Sequence, residues 1–319
     1  MSSPMMLLKA TVILAAAGLA VATLFALSAR LWWAFDLFSH FRVQYLVLAV
    51  LFGALALAVR AWPAALVLAV VALIHGWAVR DLWLGGGGRA GGAGVPLRVV
   101  AANVLRSNPT PARVQEFVAA SDADLVVLVD AQGERWRDVL SGIGERYPNR
   151  APAGWRDGAP VVLFSRHPIL EDEVVRTPGG QRPHLLTEVE FGNRSLTVAG
   201  VHPESPSPRD ATDSRVRNRQ LDHIADSLAR AERPAIVTGD FNTTYWSPHF
   251  RDLVDAADLR NAAAGQGYVA TWPRWLWPAR IPLDHILFKG PLVVGDFRRG
   301  PSVGSDHFPV VADFRLATD

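Results

Sequence analysis

A few residues before the end of the chain stands "GSDHFPV" (Gly304 to Val310), an acid beside an imidazole ahead of a strand-like tail. Similar polar groups recur where apolar runs stop. Asn103 closes "VVAAN", Asp130 closes "LVVLVD", His202 closes "VAGVH", and Asp240 with Asn242 closes "AIVTGDFN". Asp284 follows "ARIPL", and Asp306 with His307 precedes "FPVV". Any one of these alone reads equally well as a cap, an Asx turn or a satisfied histidine. Their repeated placement at strand ends is harder to dismiss, because strand ends converge on one rim of a sheet and hold side chains rigidly.

The chemistry such a set can perform is hydrolysis at phosphorus. Carboxylates and amide oxygens in a chain without cysteine suit a hard cation, Mg²⁺ or Mn²⁺. A phosphate ester needs its developing charge neutralised, a water activated in line and its leaving oxygen stabilised. Asparagine orients phosphate oxygens without adding negative charge, and histidine moves a proton near neutral pH.

The elements that must position these groups alternate between strand and helix. Strands are expected at Leu97 to Val104, Asp124 to Asp130, Ala159 to Arg166, Leu185 to Phe191, Ser195 to His202, Pro234 to Asn242, Leu283 to Gly290 and Phe308 to Leu316. Thr110 to Ser121 opens Thr-Pro and repeats its apolar residues at helical spacing, and Ser214 to Ala231 is an amphipathic helix. Neighbouring strands among helices indicate an α+β class, sheets inside and helices outside.

Ahead of this part lie three apolar runs, Ala10 to Ser28, Val43 to Val59 and Ala61 to Val79. The first is close to the ~20 residues a helix needs to cross a bilayer. Two further runs follow it, so it reads as an anchor and not as a signal peptide. Arg60, Trp62 and Pro63 make a turn between the last two runs, and Arg30 to Arg42 mixes aromatic and charged residues as interfacial segments do. His40 and His75 lie in or beside the spans and read as interfacial or packed. The organisation is then a three-helix transmembrane region at 1–82, a Gly-rich linker at 83–96 and a catalytic domain at 97–319.

In order, "VVAANVL", "DADLVVLVD", "VVLFSRHPI", "VAGVHP", "IVTGDFN", "IPLDHIL" and "GSDHFPV" resemble the motifs of the endonuclease/exonuclease/phosphatase superfamily, the DNase I-like fold, in a membrane-anchored bacterial branch. The resemblance implies a four-layer sandwich with two central β-sheets flanked by helices. It also implies roles. Asn103, Asp130 and Asp306 would lie at the metal. Asp240 would position or activate the attacking water, Asn242 and His202 would meet the phosphate, and His307 would be the acid/base or charge-stabilising group, oriented by Asp284. The family has Glu where this chain has Asp130, one methylene shorter. Glu134, a helical turn onward, is the second candidate for that place.

The substrate is not fixed by the family. The net charge is only +2, and the only lysines are Lys9 and Lys289, so a nucleic-acid partner is possible but not favoured. "ATWPRWLWPARIPLDH" (Ala270 to His285) sets Trp272, Trp275 and Trp277 just ahead of a catalytic strand. Trp272 could pack the sandwich edge, whereas Trp275 and Trp277 suit the headgroup layer of a bilayer. The expected partners are the lipid bilayer and a phosphorylated lipid or other phosphoester, whether monoester or diester. Likeness to membrane phosphatases linked to glycopeptide-antibiotic resistance adds a cell-wall lipid carrier as a candidate. A membrane-tethered nuclease and a non-catalytic membrane scaffold are the alternatives. The expected location is a bacterial inner membrane, multi-pass. A count of flanking arginines favours a cytoplasmic catalytic domain, the membrane phosphatases an extracytoplasmic one, and the expectation is extracytoplasmic.

Overall fold

The structure, a computed structural model, describes residues 3–85, 94–152, 160–206, 213–229 and 233–317. Most of the expected Gly-rich linker, residues 86–93, lies outside them, as do Ala159 and residues 230–231 at the ends of an expected strand and helix. The chain divides into Met1–Asp81 with Tyr245–Pro248, and Leu82–Thr244 with His249–Asp319.

The first unit is built from α1 (Ser3–Leu27), α2 (Trp33–Ser39), α3 (Arg42–Ala58) and α4 (Trp62–Val79), with a short α5 (Asp81–Leu84) following. Pro4–Leu27 and Trp62–Leu84, with mean hydropathies of 2.3 and 1.9, are long and apolar enough to cross a membrane. The middle run, expected at Val43 to Val59, is the single helix α3, and α2 forms within the interfacial segment ahead of it. α2 and α3 meet the test only together, bent by 62° at their junction. Polar residues explain the break. Ser39 Oγ turns back to Asp36 O at 2.6 Å, and Arg42 Nη2 donates to Ala26 O at 2.9 Å. The turn before α4 is also smaller than expected. Arg60 makes it with a φ of 56°, whereas Trp62 and Pro63 open the helix, where proline lacks no needed N–H. Ala49, Ala56, Ala64 and Ala65 are buried in the helical core, small residues that let helices approach closely. His40 and His75 are buried, and His75 Nε2 lies 3.0 Å from Thr23 Oγ1. Leu14, Leu24, Leu66 and Leu73 point outward, the apolar exterior that a helix in hydrocarbon carries.

The remaining chain runs β1 (Val95–Asn103), α6 (Ala112–Ser121), β2 (Leu125–Val129), α7 (Glu134–Gly144), β3 (Asn149–Ala151), β4 (Val161–Ser165), β5 (Ile169–Val175), β6 (His184–Phe191), β7 (Arg194–Val201), α8 (Arg215–Ala229), β8 (Ala235–Asp240), α9 (Pro248–Ala256), β9 (Arg260–Asn261), β10 (Asp284–Lys289), β11 (Leu292–Arg299) and β12 (Val310–Leu316). The strands form two sheets of six, ordered β11-β12-β1-β2-β4-β3 and β5-β6-β7-β8-β10-β9. One pair in each is parallel, β1 with β2 and β7 with β8.

Alternation along the strands separates the layers. Val99, Ala101, Val127, Val198, Ile236 and Ile286 fill the core shared by the sheets. Val100, Val126 and Leu128 pack with Val118 of α6 and with Trp136 and Leu140 of α7. On the second sheet, Phe250 of α9 packs against Phe241 and His285. Covered on both faces, "LVVLV" of β2 is buried at every position, as central strands between two layers must be. The result is the expected four-layer arrangement of two mixed sheets flanked by helices. Helices α7 and α9 and strands β3, β5, β9 and β11 add to the elements read from the sequence.

Candidate active site

The parallel pairs of the two sheets end at a common rim, where Asn103 Nδ2, at the end of β1, donates to Asp240 Oδ2, at the end of β8, at 2.9 Å. Register then delivers the partners. Asp240 stands opposite Asp284 across the antiparallel β8–β10 pair. β12 pairs with β1 from Val310 opposite Ala101, which sets Asp306 and His307 just ahead of that strand. Gly239 permits the close approach of β7 and β8 one residue before His202 and Asp240. Its φ is +142°, and a Cβ there would lie 2.0 Å from Val201 O.

His307 is buried and hydrogen-bonds Asp284 Oδ2 through Nδ1 at 2.8 Å, while its Nε2 is 3.7 Å from Asp240 Oδ2. Burial disfavours charge on the ring, but Asp284, Asp240 and Asp306 together prevail and raise its pKa to about 10. It is therefore an imidazolium at neutral pH. His202, also buried, places Nδ1 3.4 Å from Asp130 Oδ1 and Nε2 3.6 Å from Asp240 Oδ2. Burial pushes the Asp130 carboxyl up, yet His202, Arg182 and His307 more than offset it and bring its pKa down to about 2. The Asn242 backbone N–H donates to Asp240 Oδ1 at 2.9 Å, and its amide Nδ2 donates to Pro203 O at 2.9 Å.

Seven of the eight expected residues thus link directly into one network: Asn103, Asp130, His202, Asp240, Asn242, Asp284 and His307. Asp306 stands at its margin, accepting from Trp272 Nε1 at 3.2 Å and Ser305 Oγ at 3.4 Å. Among the described residues, Asp240, Asp284 and His307 present ligand atoms within 4.8 Å of one another, but His307 already holds Asp284. The oxygen donors Asn103 and Asp130, the latter ionised at neutral pH, fit a hard divalent cation. The alternative Glu134 is turned toward solvent. It begins α7 with an 89% exposed side chain beside Arg137, because the chain turns into the helix after Asp130, which takes a φ of +62°.

Two arginines joined the site without a signal in the motifs. Arg217 of α8 is fully buried and donates to Asn242 O at 3.1 Å. Arg182 lies against His202, with Nη1 3.0 Å from Nδ1. Neither stands at a strand end; each comes from the helix or loop beside one.

The tryptophan segment splits as its two readings allowed. Trp272 bonds Asp306 and is half-buried. Trp275, Leu276 and Trp277 project, with exposures of 72%, 40% and 77%. Their loop is braced below. Trp272 and Ile281 pair across its base, Tyr268 Oη donates to Arg280 O at 2.5 Å, and Arg274 N donates to Asp306 O at 2.7 Å.

Solved structures share this arrangement at low sequence identity, which speaks to the fold alone. The Staphylococcus aureus beta toxin superposes with a TM-score of 0.54 at 19% identity, over 68% of this chain and 99% of its own. Sphingomyelinase C from Streptomyces griseocarneus does so with 0.53 at 19%, over 69% and 99%. TDP2 from D. rerio, complexed with a single-strand DNA product, gives 0.56 at 19%, over 69% and 99%. Two UPF0294 proteins of Vibrio vulnificus, from strains YJ016 and CMCP6, are 34% identical over 101 residues. That match spans 32% of this chain and about a third (34%) of theirs. A sequence model spanning residues 100–307, most of the chain and every residue of the network, agrees with the fold, and the protein belongs to the Endonuclease/Exonuclease/phosphatase family.

Proposed function

We propose that this protein is a membrane-anchored, divalent-metal-dependent phosphoesterase whose substrate is a lipid phosphoester, with a cell-wall lipid carrier among the candidates. The observation that carries the hydrolytic reading is the buried His307–Asp284 pair facing Asp240. Asp240, held by Asn103 and the Asn242 backbone, orients or deprotonates the attacking water. His202 and the second amide hydrogen of Asn242 meet the phosphoryl oxygens. His307, charged and fixed by Asp284, faces the negative charge that grows in the transition state and can supply a proton to the leaving oxygen. Asn103, Asp130 and Asp306 would hold Mg²⁺ or Mn²⁺, which when bound neutralises phosphoryl charge. A beta toxin structure with bound magnesium ions supports that choice of ion.

The lipid reading draws on the apolar spans and on the projecting Trp275-Leu276-Trp277 tip. Residues 1–82 serve as anchor, 83–96 as linker and 97–319 as catalytic domain, in a bacterial inner membrane with the catalytic domain extracytoplasmic. Sphingomyelinase C, by its name, is a lipid-acting neighbour, whereas the TDP2 complex holds DNA. Full-length protein in detergent should release phosphate or headgroup from micellar lipid phosphoesters, stop in chelator and resume with Mg²⁺ or Mn²⁺. Undiminished turnover in chelator rejects the metal. Plasmid cleavage with inert lipids turns the reading to a tethered nuclease, and inertness toward both turns it to a scaffold. A reporter joined after the catalytic domain tests its side of the membrane.

A further inference from the structure

Arg182 belongs to none of the motifs, yet its guanidinium is directed into the network. Nη1 lies 3.0 Å from His202 Nδ1 and also contacts Nε2, and its charge is felt at Asp130. Two buried side chains, Glu204 and Gln220, fix the backbone that carries it. Glu204 Oε1 accepts from Gln181 N at 2.5 Å and from Arg182 N at 3.1 Å. Gln220 Nε2 donates to Arg182 O at 2.8 Å, and Gln220 Oε1 accepts from Glu204 N at 2.8 Å. The loop is drawn tightly onto α8. A Cβ at Gly180 would lie 2.8 Å from Gln220 Nε2, a measure of how closely the loop approaches that side chain.

This is a costly way to hold a cation beside a histidine. A histidine ring offers at most one lone pair, against five N–H donors on the guanidinium. A planar fork of donors is matched by two oxygens of a phosphoryl group. We propose that Arg182 is a phosphoryl-binding residue of this site, and that Glu204 and Gln220 are positioning residues that hold it beside His202. The proposal rests on the phosphoester reading, and it adds a grip on the non-bridging oxygens from the second sheet's side of the rim.

Titration of the full-length protein in detergent with inorganic phosphate, in Mg²⁺, tests binding apart from turnover. Arg182→Ala should weaken phosphate binding about 10- to 100-fold, as loss of charged hydrogen bonds does, with the melting temperature unchanged because the side chain is only partly buried. Arg182→Lys should recover only part, since an ammonium is a point charge and not a fork. Glu204→Ala should weaken phosphate binding and raise KM more than it lowers kcat. Glu204→Gln should restore both, because its amide oxygen can still accept the Gln181 and Arg182 N–H groups. Wild-type affinity in Arg182→Ala, or no phosphate binding by the wild type, overturns the proposal. Equal losses in Glu204→Gln and Glu204→Ala overturn the positioning role. Phosphate binding that depends on Arg182 in a protein that hydrolyses no phosphoester would instead retire the enzymatic reading and leave the anion site standing.

Discussion

His307 carries its charge because Asp284, Asp240 and Asp306 surround it, and that charge has two measurable consequences. His307→Ala should cut kcat by about 10²–10⁴-fold, the usual worth of a general acid or base. Asp284→Asn should cost as much or less, and the double variant scarcely more than His307→Ala, because groups acting as one unit are non-additive. A lowered melting temperature with normal turnover per folded molecule would show that "SDH" merely caps β12. The second consequence is in stability. The folded pKa is raised from 6.5 to about 10, so the stabilisation is complete below pH 6.5 and disappears as pH rises through about 10. In chelator, the melting-temperature gap between wild type and His307→Ala should be widest near pH 6 and close toward pH 10. A gap independent of pH would mean that the ring is not held charged. The residues of this pair were legible because each ends or precedes an apolar run. Arg182 and Arg217 were not, since nothing local distinguishes an arginine that turns inward on a loop or helix from one that is solvated.

At the scale of elements, the loop from Trp272 to Arg280 has a braced base and an apolar tip. Arg274 and Trp272 attach the base to Asp306, while Trp275 and Trp277 contact little of the protein. Replacing both tip tryptophans with alanine should therefore leave melting unchanged. It should lower turnover of a bilayer-embedded lipid phosphoester several-fold and spare a water-soluble phosphoester. Equal losses on the two substrates would reject the interfacial role. Strand β2 was legible as a continuous apolar run, and α8 as an amphipathic period. Helix α7 carries the same signal, with Trp136, Val139, Leu140 and Ile143 buried on one face, but four charged residues among its first five positions mask it. β5, "ILEDEVV", is an edge strand whose charges protect an unpaired side, and that protection is what hides a strand from a search for apolar runs. The α2–α3 bend depends on Ser39 and Arg42 finding partners in three dimensions, which hydropathy does not record.

For the molecule as a whole, buried neutral histidines set the acid limit. Burial pushes His184 and His285 down to about 4, the first with help from His223 and the second against opposing contacts from Thr243 and Asp240. Their folded pKa values lie below the ordinary 6.5, so the unfolded chain gains protons first. Stability is complete above pH 6.5 and falls as pH drops toward 4. Below about pH 5.5 His307 adds nothing to this slope, since it is then protonated in both states, and Asp130 holds its contribution until about pH 3.8. Melting followed by near-ultraviolet circular dichroism should decline from pH 7 to 4, and His184→Gln should shallow the decline. A flat profile over that range would contradict the neutral burial of both rings.

The place of β12 has a consequence for biosynthesis. That strand lies between β11 and β1, pairing Val95 with Leu316 and Ala101 with Val310, so the first sheet stays open at its middle until residues beyond 310 have left the ribosome. The apolar helices are made more than two hundred residues earlier. A cell therefore holds, for the time taken to translate everything between, a nascent chain whose apolar helices are complete but whose rim network is not. Messages cut short before Val310 would yield apolar helices joined to an unclosed sheet, and quality control would decide their fate.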